Sequence, residues 1–267
     1  MVGTVRSKDG TVIAFDVVGE GQPLIMVDGA TAHRAVNPLG AEVGELLRDG
    51  FRTYTYDRRG RGQSGDTAPY AKEREIEDLA ALIAEAGEPA VVCGFSSGAA
   101  LALDAAAAGL PISRVAVWEP PFIVDDTRPP LPPDYVERLD EAVAQGRPGD
   151  AVALFFTVAV GMPAEMVEGM RQSPFWAAVE EVAHTIAYDG RFVADAMAGT
   201  PLDKGRWAAV DVPVLALHGD GTDPSLMVGA RAVAELLPTA TLQVVKGEQH
   251  TVAAEVLAPV LREFARR

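Results

Sequence analysis

Two adjacent serines lie between glycines in the segment GFSSG, residues 94–98, which follows an apolar run and precedes an alanine-rich one. The pattern G-x-S-x-G between a strand and a helix places the central serine on a sharp turn with its hydroxyl above the sheet. In that frame Ser96 is a candidate nucleophile, and the backbone N–H of Ser97 is a candidate donor to an oxyanion. The alternative is that either serine only caps the helix, a role that serine commonly fills.

A serine nucleophile needs a general base, because its hydroxyl is a weak nucleophile, and the base is most often histidine. Of the four histidines, His250 lies in the segment KGEQHTVAAEVL, between the last predicted strand and the last predicted helix. From there its imidazole could reach the top of the sheet, where Ser96 is expected. The two residues therefore predict nucleophilic catalysis by Ser96 with His250 as its base.

Strands and helices alternate around these two residues. Predicted strands cover residues 3–6, 12–18, 24–30, 51–57, 89–95, 113–119, 212–218 and 240–246, and predicted helices cover residues 38–49, 71–87, 97–109, 225–236 and 252–266. Several strands are apolar on both faces, which is typical of a parallel sheet covered by helices. The predicted fold class is α/β, with a mostly parallel, doubly wound sheet.

The alternation is interrupted after the sixth strand. Residues 121–205 begin with proline-rich sequence and continue with a helical pattern rich in methionine and aromatic residues. We interpret residues 1–120 and 206–267 as one core domain and residues 121–205 as a helical cap. Phe156 and Trp176 of the cap are candidate pocket residues, since ligand pockets are mostly apolar.

A glycine-rich segment, GRGQSG at residues 60–65, satisfies the dinucleotide-binding pattern GxGxxG and follows a predicted strand. In a dinucleotide site the helix begins inside this motif, so that its N-terminus meets the pyrophosphate. Here the segment DTAP follows instead. We interpret the segment as a tight loop whose arginines, Arg58, Arg59 and Arg61, form local ion pairs. No cofactor is predicted.

Together with Ser96 and His250, three further motifs resemble the α/β-hydrolase family, in its serine-nucleophile form with a helical cap domain. YDRRGRGQS matches the family segment D-x-R-G-x-G-x-S after the fourth strand, and VPVLALHGD with the following DP resembles the segment that carries the triad acid. VDGA stands where the family usually has His-Gly. The resemblance covers nearly the whole chain and implies a Ser-acid-His order, with the N–H of Ala30 as the second oxyanion donor.

Three carboxylates are candidates for the triad acid. Asp223 precedes a proline, as the acid of the family often does, and is the favoured choice. Asp220 is an alternative, because the loop around it is one residue longer than the usual form. Glu119, at the end of the preceding strand, is a third choice, since some relatives carry the acid there.

Asp28 departs from the family pattern, because a carboxylate beside the oxyanion hole opposes the negative charge that develops there. We expect the aspartate to be tolerated there if its side chain points away and pairs with an arginine, such as Arg34, Arg58 or Arg59. A protein adapted from hydrolysis to another reaction could also carry this aspartate.

The composition excludes several classes of function. A formal net charge of −15 over 267 residues disfavours nucleic acid and anionic membranes as partners. The single cysteine excludes an internal disulfide, and neither a signal peptide nor a membrane span of about 20 apolar residues is recognisable. No CxxC or HExxH motif predicts a metal site. We expect a cytoplasmic monomer or homodimer.

The predicted function is hydrolysis of a small or medium apolar ester, thioester or lactone through an acyl-enzyme on Ser96. Two alternatives remain at this point. One is a non-hydrolytic enzyme of the same fold, such as a perhydrolase, lyase or cyclase. The other is a non-catalytic protein that binds a small molecule on this scaffold, since a fold does not determine a function.

Overall fold

Eight strands form one sheet in residues 2–267, which are the residues that the structure, a computed structural model, describes. The strands are β1 (Gly3–Arg6), β2 (Val12–Val18), β3 (Gln22–Val27), β4 (Phe51–Tyr56), β5 (Ala90–Phe95), β6 (Ile112–Trp118), β7 (Val214–Gly221) and β8 (Ala240–Glu248). Their order across the sheet is β1-β2-β4-β3-β5-β6-β7-β8. Strand β2 is antiparallel to both β1 and β4, and all other pairs are parallel.

The helices bounding this sheet are α1 (Leu39–Leu47), α2 (Lys72–Ala86), α3 (Ser97–Ala107), α9 (Pro224–Leu236) and α10 (Ala254–Arg266). Side chains of β3 alternate between two cores: Ile25 and Val27 pack in the core that contains α2, α3 and α9, whereas Leu24 and Met26 pack in the core that contains α1 and α10. This alternation explains why the strand is apolar on both faces. The predicted doubly wound α/β fold is confirmed.

Between β6 and β7 the chain forms helices α4 (Tyr135–Ala144), α5 (Pro148–Leu154), α6 (Ala164–Met170), α7 (Pro174–Glu181) and α8 (Ile186–Val193). A π-helical turn, Phe155–Ala159, follows α5, and short 3₁₀ turns precede and follow α8. These elements occupy the segment predicted as the cap, and we call residues 121–205 the cap segment. No helix of residues 2–267 is both long and apolar enough to cross a bilayer.

A buried ion-pair cluster joins the cap segment to the sheet. Asp189 of α8 accepts a hydrogen bond from Arg58 Nη1 at 2.6 Å and pairs with Arg61 Nη2. Arg58 also contacts Glu75 of α2 through Nε at 2.6 Å and Nη2 at 2.8 Å. All four side chains are almost completely buried. The two positive and two negative charges balance, which buried ions require.

Two strand ends differ from their predicted positions in ways that affect the site. Strand β3 ends at Val27 rather than at residue 30, so that residues 28–30 lie outside the strand and lead into a turn at Ala30 and Thr31. Strand β7 continues past residue 218 to Gly221. Its register with β8 shifts between Gly219 and Gly221, and Gly221 then pairs with Glu248 of β8. Because of this extension, only Thr222 lies between the end of β7 and Asp223, the N-cap residue of α9.

The turn between β5 and α3 requires glycine on both sides. A Cβ at Gly94 would lie 2.3 Å from the carbonyl oxygen of Gly98, and a Cβ at Gly98 would lie 2.4 Å from the carbonyl oxygen of Val27. Both distances are far below van der Waals contact, and the obstacle is backbone in each case. The glycines of GFSSG therefore allow α3 to begin directly against β3 and β5.

We predict that Gly98→Ala lowers the free energy of unfolding by about 1–3 kcal/mol, the usual cost of forcing extra volume into a packed site. Urea denaturation measures it. The matched control is Gly169→Ala in α6, where an added Cβ meets open space. That variant should change stability by less than about 1 kcal/mol, with helix propensity favouring alanine. Equal losses in both variants would contradict the close approach described for Gly98.

Candidate active site

Ser96 lies at the sharp turn between β5 and α3, with φ 52° and ψ −121°. Its backbone N–H donates to the carbonyl of Trp118 on β6 at 2.9 Å, which ties the turn to the neighbouring strand. The hydroxyl of Ser96 makes no capping hydrogen bond to α3. The hydroxyl of Ser97 instead donates to Asp189 at 2.6 Å. Neither serine side chain thus caps the helix, which leaves the Ser96 hydroxyl available for chemistry.

His250 is held by Glu119. The Nδ1 atom of His250 lies 2.6 Å from Glu119 Oε2, while Glu119 Oε1 accepts hydrogen bonds from the N–H of Gly219 at 2.9 Å and from the Thr222 hydroxyl at 2.5 Å. Glu119 is fully buried. Burial alone would raise its pKa, but the hydrogen bonds from His250, Thr222 and Gly219 outweigh burial and lower the pKa of Glu119. The carboxylate is therefore ionised and oriented towards the imidazole.

The two aspartates that were the other candidate acids have different partners. Asp223 is the N-cap residue of α9, and its Oδ1 accepts from the N–H of Ser225 at 2.8 Å. Asp220 Oδ1 accepts from the N–H of Gly247 at 3.1 Å. The expectation that Asp223 holds His250 is not met, because the extension of β7 to Gly221 leaves Asp223 at the start of the helix.

Five non-glycine residues of the described chain have positive φ: Thr31 (64°), Ser96 (52°), Glu119 (42°), Gln249 (50°) and His250 (65°). Each such conformation costs free energy for a residue with a side chain, and such residues cluster at functional sites. Ser96, Gln249 and His250 line one cavity, which is described below. Glu119 contacts His250, and Thr31 lies between Ala30 and Ala32, which also line this cavity. The backbone strain of residues 2–267 is thus concentrated around this cavity.

The cavity has a volume of about 1200 Å³ and contains both Ser96 and His250 in its wall. Its base consists of the turns that follow β3, β5, β6 and β8 together with the beginnings of α1 and α9, and the cap segment contributes the upper walls. Phe156 lines the cavity, as predicted from sequence. Trp176 does not: it is buried in α7, and its indole N–H donates to Glu180 Oε1 at 2.8 Å. In residues 2–267 no group of three or more histidine, cysteine or carboxylate side chains is arranged to bind a metal.

The two backbone amides expected to bind an oxyanion, those of Ser97 and Ala30, belong to residues that line this cavity. Ser97 is the first residue of α3, so its N–H has no partner within the helix. The carbonyl of Gly29 accepts from Arg61 Nη1 at 2.6 Å. Because C=O and N–H point in opposite directions in a planar trans peptide, Arg61 also fixes the direction of the Ala30 N–H. Arg61, for which the sequence predicted only ion pairs, thus also holds the peptide group that carries this amide.

Asp28 is paired differently from the expectation. Its Oδ1 accepts from Asn37 Nδ2 at 2.7 Å, and Arg58 donates only to its backbone carbonyl, at 3.2 Å. No arginine of residues 2–267 contacts the carboxylate, because Arg34 pairs with Asp16 and Asp57 while Arg58 and Arg59 are paired elsewhere. Burial outweighs the Asn37 hydrogen bond and raises the pKa of Asp28 to about 6. Asp28 does not line the cavity, and below that pH its negative charge is removed by protonation.

We predict that Asp28→Asn stabilises the fold at pH 8. An acid whose pKa is raised on folding, here from 3.8 to about 6, stabilises the folded state at low pH and loses that contribution as pH rises through 6. The isosteric amide keeps the bond from Asn37 without the charge, so the gain at pH 8 should be about 1–3 kcal/mol. Urea unfolding at several pH values measures it.

The gain from Asp28→Asn should shrink as the pH is lowered through 6 towards 4. Asp49→Asn, which changes an exposed aspartate, is the control and should alter stability little at any of these pH values. A gain for Asp28→Asn that stays constant or grows at low pH would contradict the raised pKa.

A sequence model of the alpha/beta hydrolase family matches residues 28–261. The chain belongs to the α/β-hydrolase family. The family resemblance and the fold expected from the motifs are thereby confirmed.

Several known proteins are similar to this member of the family. A solved α/β hydrolase from Sphaerobacter thermophilus is 48% identical, with a TM-score of 0.88 over 98% of this chain and 100% of that one. A protein from Kitasatospora aureofaciens named non-heme chloroperoxidase CPO-A1 is 27% identical over 92% of this chain and 91% of its own. An esterase from Thermogutta terrifontis, solved with malate bound, is 24% identical with a TM-score of 0.71, over 100% of this chain and 98% of that one. The esterase shows likeness of fold alone.

Proposed function

We propose that this α/β hydrolase cleaves small or medium esters, thioesters or lactones through an acyl-enzyme on Ser96, with His250 as general base and Glu119 as the triad acid. The observation that carries the proposal is the 2.6 Å contact between His250 Nδ1 and buried Glu119, in a cavity that His250 shares with Ser96. The contact and the shared cavity support the assignment of Ser96, Glu119 and His250 as nucleophile, orienting acid and base, the three groups on which acyl transfer depends.

Each residue has a defined step. Glu119 binds Nδ1–H and leaves Nε2 of His250 as the nitrogen that accepts the Ser96 proton. Ser96 Oγ attacks the substrate carbonyl carbon, and the N–H groups of Ser97 and Ala30 bind the oxyanion of the tetrahedral intermediate. The intermediate collapses as His250 protonates the leaving oxygen or sulfur, and water activated by His250 then releases the acid from Ser96.

The cavity supports the proposed substrate class. Its volume of about 1200 Å³ exceeds that of most drug-sized ligand sites, which range from about 300 to 1,000 Å³. Aromatic and aliphatic side chains from the cap segment, including Phe155, Phe156, Val160 and Met197, dominate its upper wall. An enol-lactonase from Burkholderia xenovorans, 20% identical with a TM-score of 0.70, is among the proteins of this fold.

A second candidate reaction is perhydrolysis, favoured by the likeness to the non-heme chloroperoxidase. Hydrogen peroxide would take the place of water, attack the acyl group on Ser96 and release a peroxyacid together with the free serine. The same Ser96, His250 and oxyanion amides serve this step, and the triad needs no metal for it. Peroxyacid formation from acetate and hydrogen peroxide distinguishes it from hydrolysis alone.

We predict that a fluorophosphonate probe labels the protein at Ser96, because the probe reacts with an activated serine hydroxyl. Intact-mass and peptide mass spectrometry locate the adduct. Ser96→Ala should remain unlabelled. The matched control, Ser97→Ala, keeps the backbone N–H and should still be labelled at Ser96, though more slowly. A folded wild-type protein that does not react would exclude an activated nucleophile and favour a non-catalytic binding protein.

We predict that Glu119→Gln lowers kcat by about 10³- to 10⁴-fold, because a neutral amide neither selects the correct imidazole tautomer nor stabilises the imidazolium. Steady-state kinetics on a 4-nitrophenyl ester measure the loss. Asp223→Asn and Asp220→Asn are the controls. Asparagine caps helices as well as aspartate does, so kcat for Asp223→Asn should stay within about twofold. A loss in either control as large as that of Glu119→Gln would assign the acid to that aspartate.

A further inference from the structure

Arg128 is the one arginine or lysine, among residues 2–267, whose side chain lines the cavity. It lies in the segment that leads from β6 into the cap. Its Nη2 donates to the carbonyl of Pro121 at 2.7 Å, and its Nη1 donates to the carbonyl of Ala159 at 3.1 Å. The guanidinium is therefore held at two points rather than free to move in solvent.

The charge of Arg128 is not compensated by these contacts. Both acceptors are neutral carbonyl groups, and no carboxylate of residues 2–267 forms an ion pair with this side chain. The Nε atom is buried and has no hydrogen-bond partner. Burial lowers the pKa of Arg128, which shows that the surroundings disfavour its positive charge. Arg128 is half-buried, and charges withdrawn from water are ordinarily paired, so a cation placed in this way is suited to an anion that arrives with a ligand.

The local backbone that holds Arg128 is itself unusual. Ala159 ends the π-helical turn Phe155–Ala159, and the whole turn lines the cavity. Such turns are rare and frequently occur at functional sites, because they displace carbonyls from the regular helical pattern. Here the Ala159 carbonyl is the one that orients Arg128. The cap segment thus combines an uncommon backbone with an uncompensated cation at one wall of the cavity.

Two other charged side chains besides His250 line the cavity, and neither neutralises Arg128. Asp189 is already paired with Arg58 and Arg61. Asp223 is exposed and accepts the N–H of Ser225; this hydrogen bond chiefly, and the charge of Arg128 to a smaller extent, lower its pKa. The ionised Asp223 would repel a dianion such as phosphate more strongly than a monoanion.

We propose that Arg128 binds a carboxylate group of the substrate, so that the protein prefers esters or lactones that carry a carboxylate remote from the scissile bond. The inference rests on the proposed hydrolytic function and specifies its substrate class. A guanidinium presents N–H groups in a planar fork that matches carboxylate oxygens, and such charge-assisted hydrogen bonds are stronger than neutral ones. Arg128 is thereby a specificity-determining residue.

The kinetic test compares two esters of equal length, the 4-nitrophenyl monoester of glutaric acid and the 4-nitrophenyl ester of glutaramic acid. They differ in one group, a carboxylate against a neutral amide. We expect kcat/KM of the wild type to favour the carboxylate ester by about tenfold to a hundredfold. Arg128→Gln should reduce this ratio to near one, whereas Arg128→Lys, which keeps the charge but not the fork, should retain part of it.

The matched control is Arg138→Gln on α4, which removes an exposed arginine outside the cavity lining and should leave the ratio unchanged. Far-ultraviolet circular dichroism and melting temperature verify that each variant is folded. A wild-type ratio near one, or a ratio that falls equally in Arg128→Gln and Arg138→Gln, would overturn the assignment.

A binding measurement separates this inference from the proposed function. Calorimetry with glutarate is done on Ser96→Ala and on the double variant that also carries Arg128→Gln, and we expect at least tenfold weaker binding to the double variant. If the wild type cleaves neither ester but glutarate binding still depends on Arg128, the hydrolytic function fails and the carboxylate site stands. Glutarate binding that is absent, or that Arg128→Gln leaves unchanged, overturns the carboxylate site whatever the turnover.

Discussion

The carboxylate of Asp189 connects the cap segment, the serine turn and the arginine-rich loop that follows β4. It comes from the cap segment, accepts a hydrogen bond from the Ser97 hydroxyl at the start of α3, and balances the charges of Arg58 and Arg61. Burial alone would raise its pKa, but the two arginines outweigh burial and lower it, so Asp189 stays ionised. Removing one partner from such a buried cluster leaves an uncompensated charge, which is strongly destabilising. The cap segment and the serine turn are consequently held in one relative position.

The same cluster orients the two amides that are proposed to bind the oxyanion. Arg61, held by Asp189, binds the carbonyl of Gly29 and thereby directs the N–H of Ala30. Ser97, held by the same carboxylate, begins α3 with its own N–H unpaired within the helix. Electrostatic stabilisation of an oxyanion depends on donors that are already oriented before the reaction. In the proposed mechanism, the arginine-rich loop thus positions these amides without touching a substrate.

Charge is distributed unevenly around the cavity. On the side that carries Ser96, the charges of Arg58 and Arg61 are neutralised by Glu75 and Asp189. The charge of Asp28, which follows β3, depends on pH because its pKa is raised. The cap side carries Arg128, whose charge no protein carboxylate balances at short range. A substrate that is apolar at the scissile bond and anionic at its far end complements both sides. This polarity, rather than the size of the cavity, is what gives the proposed specificity.

The sheet, the family and the candidacy of Ser96 and His250 for one site were readable from sequence, because they depend on local patterns. Strand apolarity on both faces, glycines at a turn that leaves no room for a Cβ, and the chain order of serine and histidine are all encoded within short segments. The partner of His250 was not readable, since Glu119 and Asp223 are both plausible along the chain. Only the folded register decided between them: β7 pairs with β8 as far as Gly221, which leaves Asp223 at a helix cap and brings Glu119, from the end of the neighbouring strand, to the imidazole. The same limit applies to Asp189 and Arg128, whose roles depend on contacts between residues far apart in sequence.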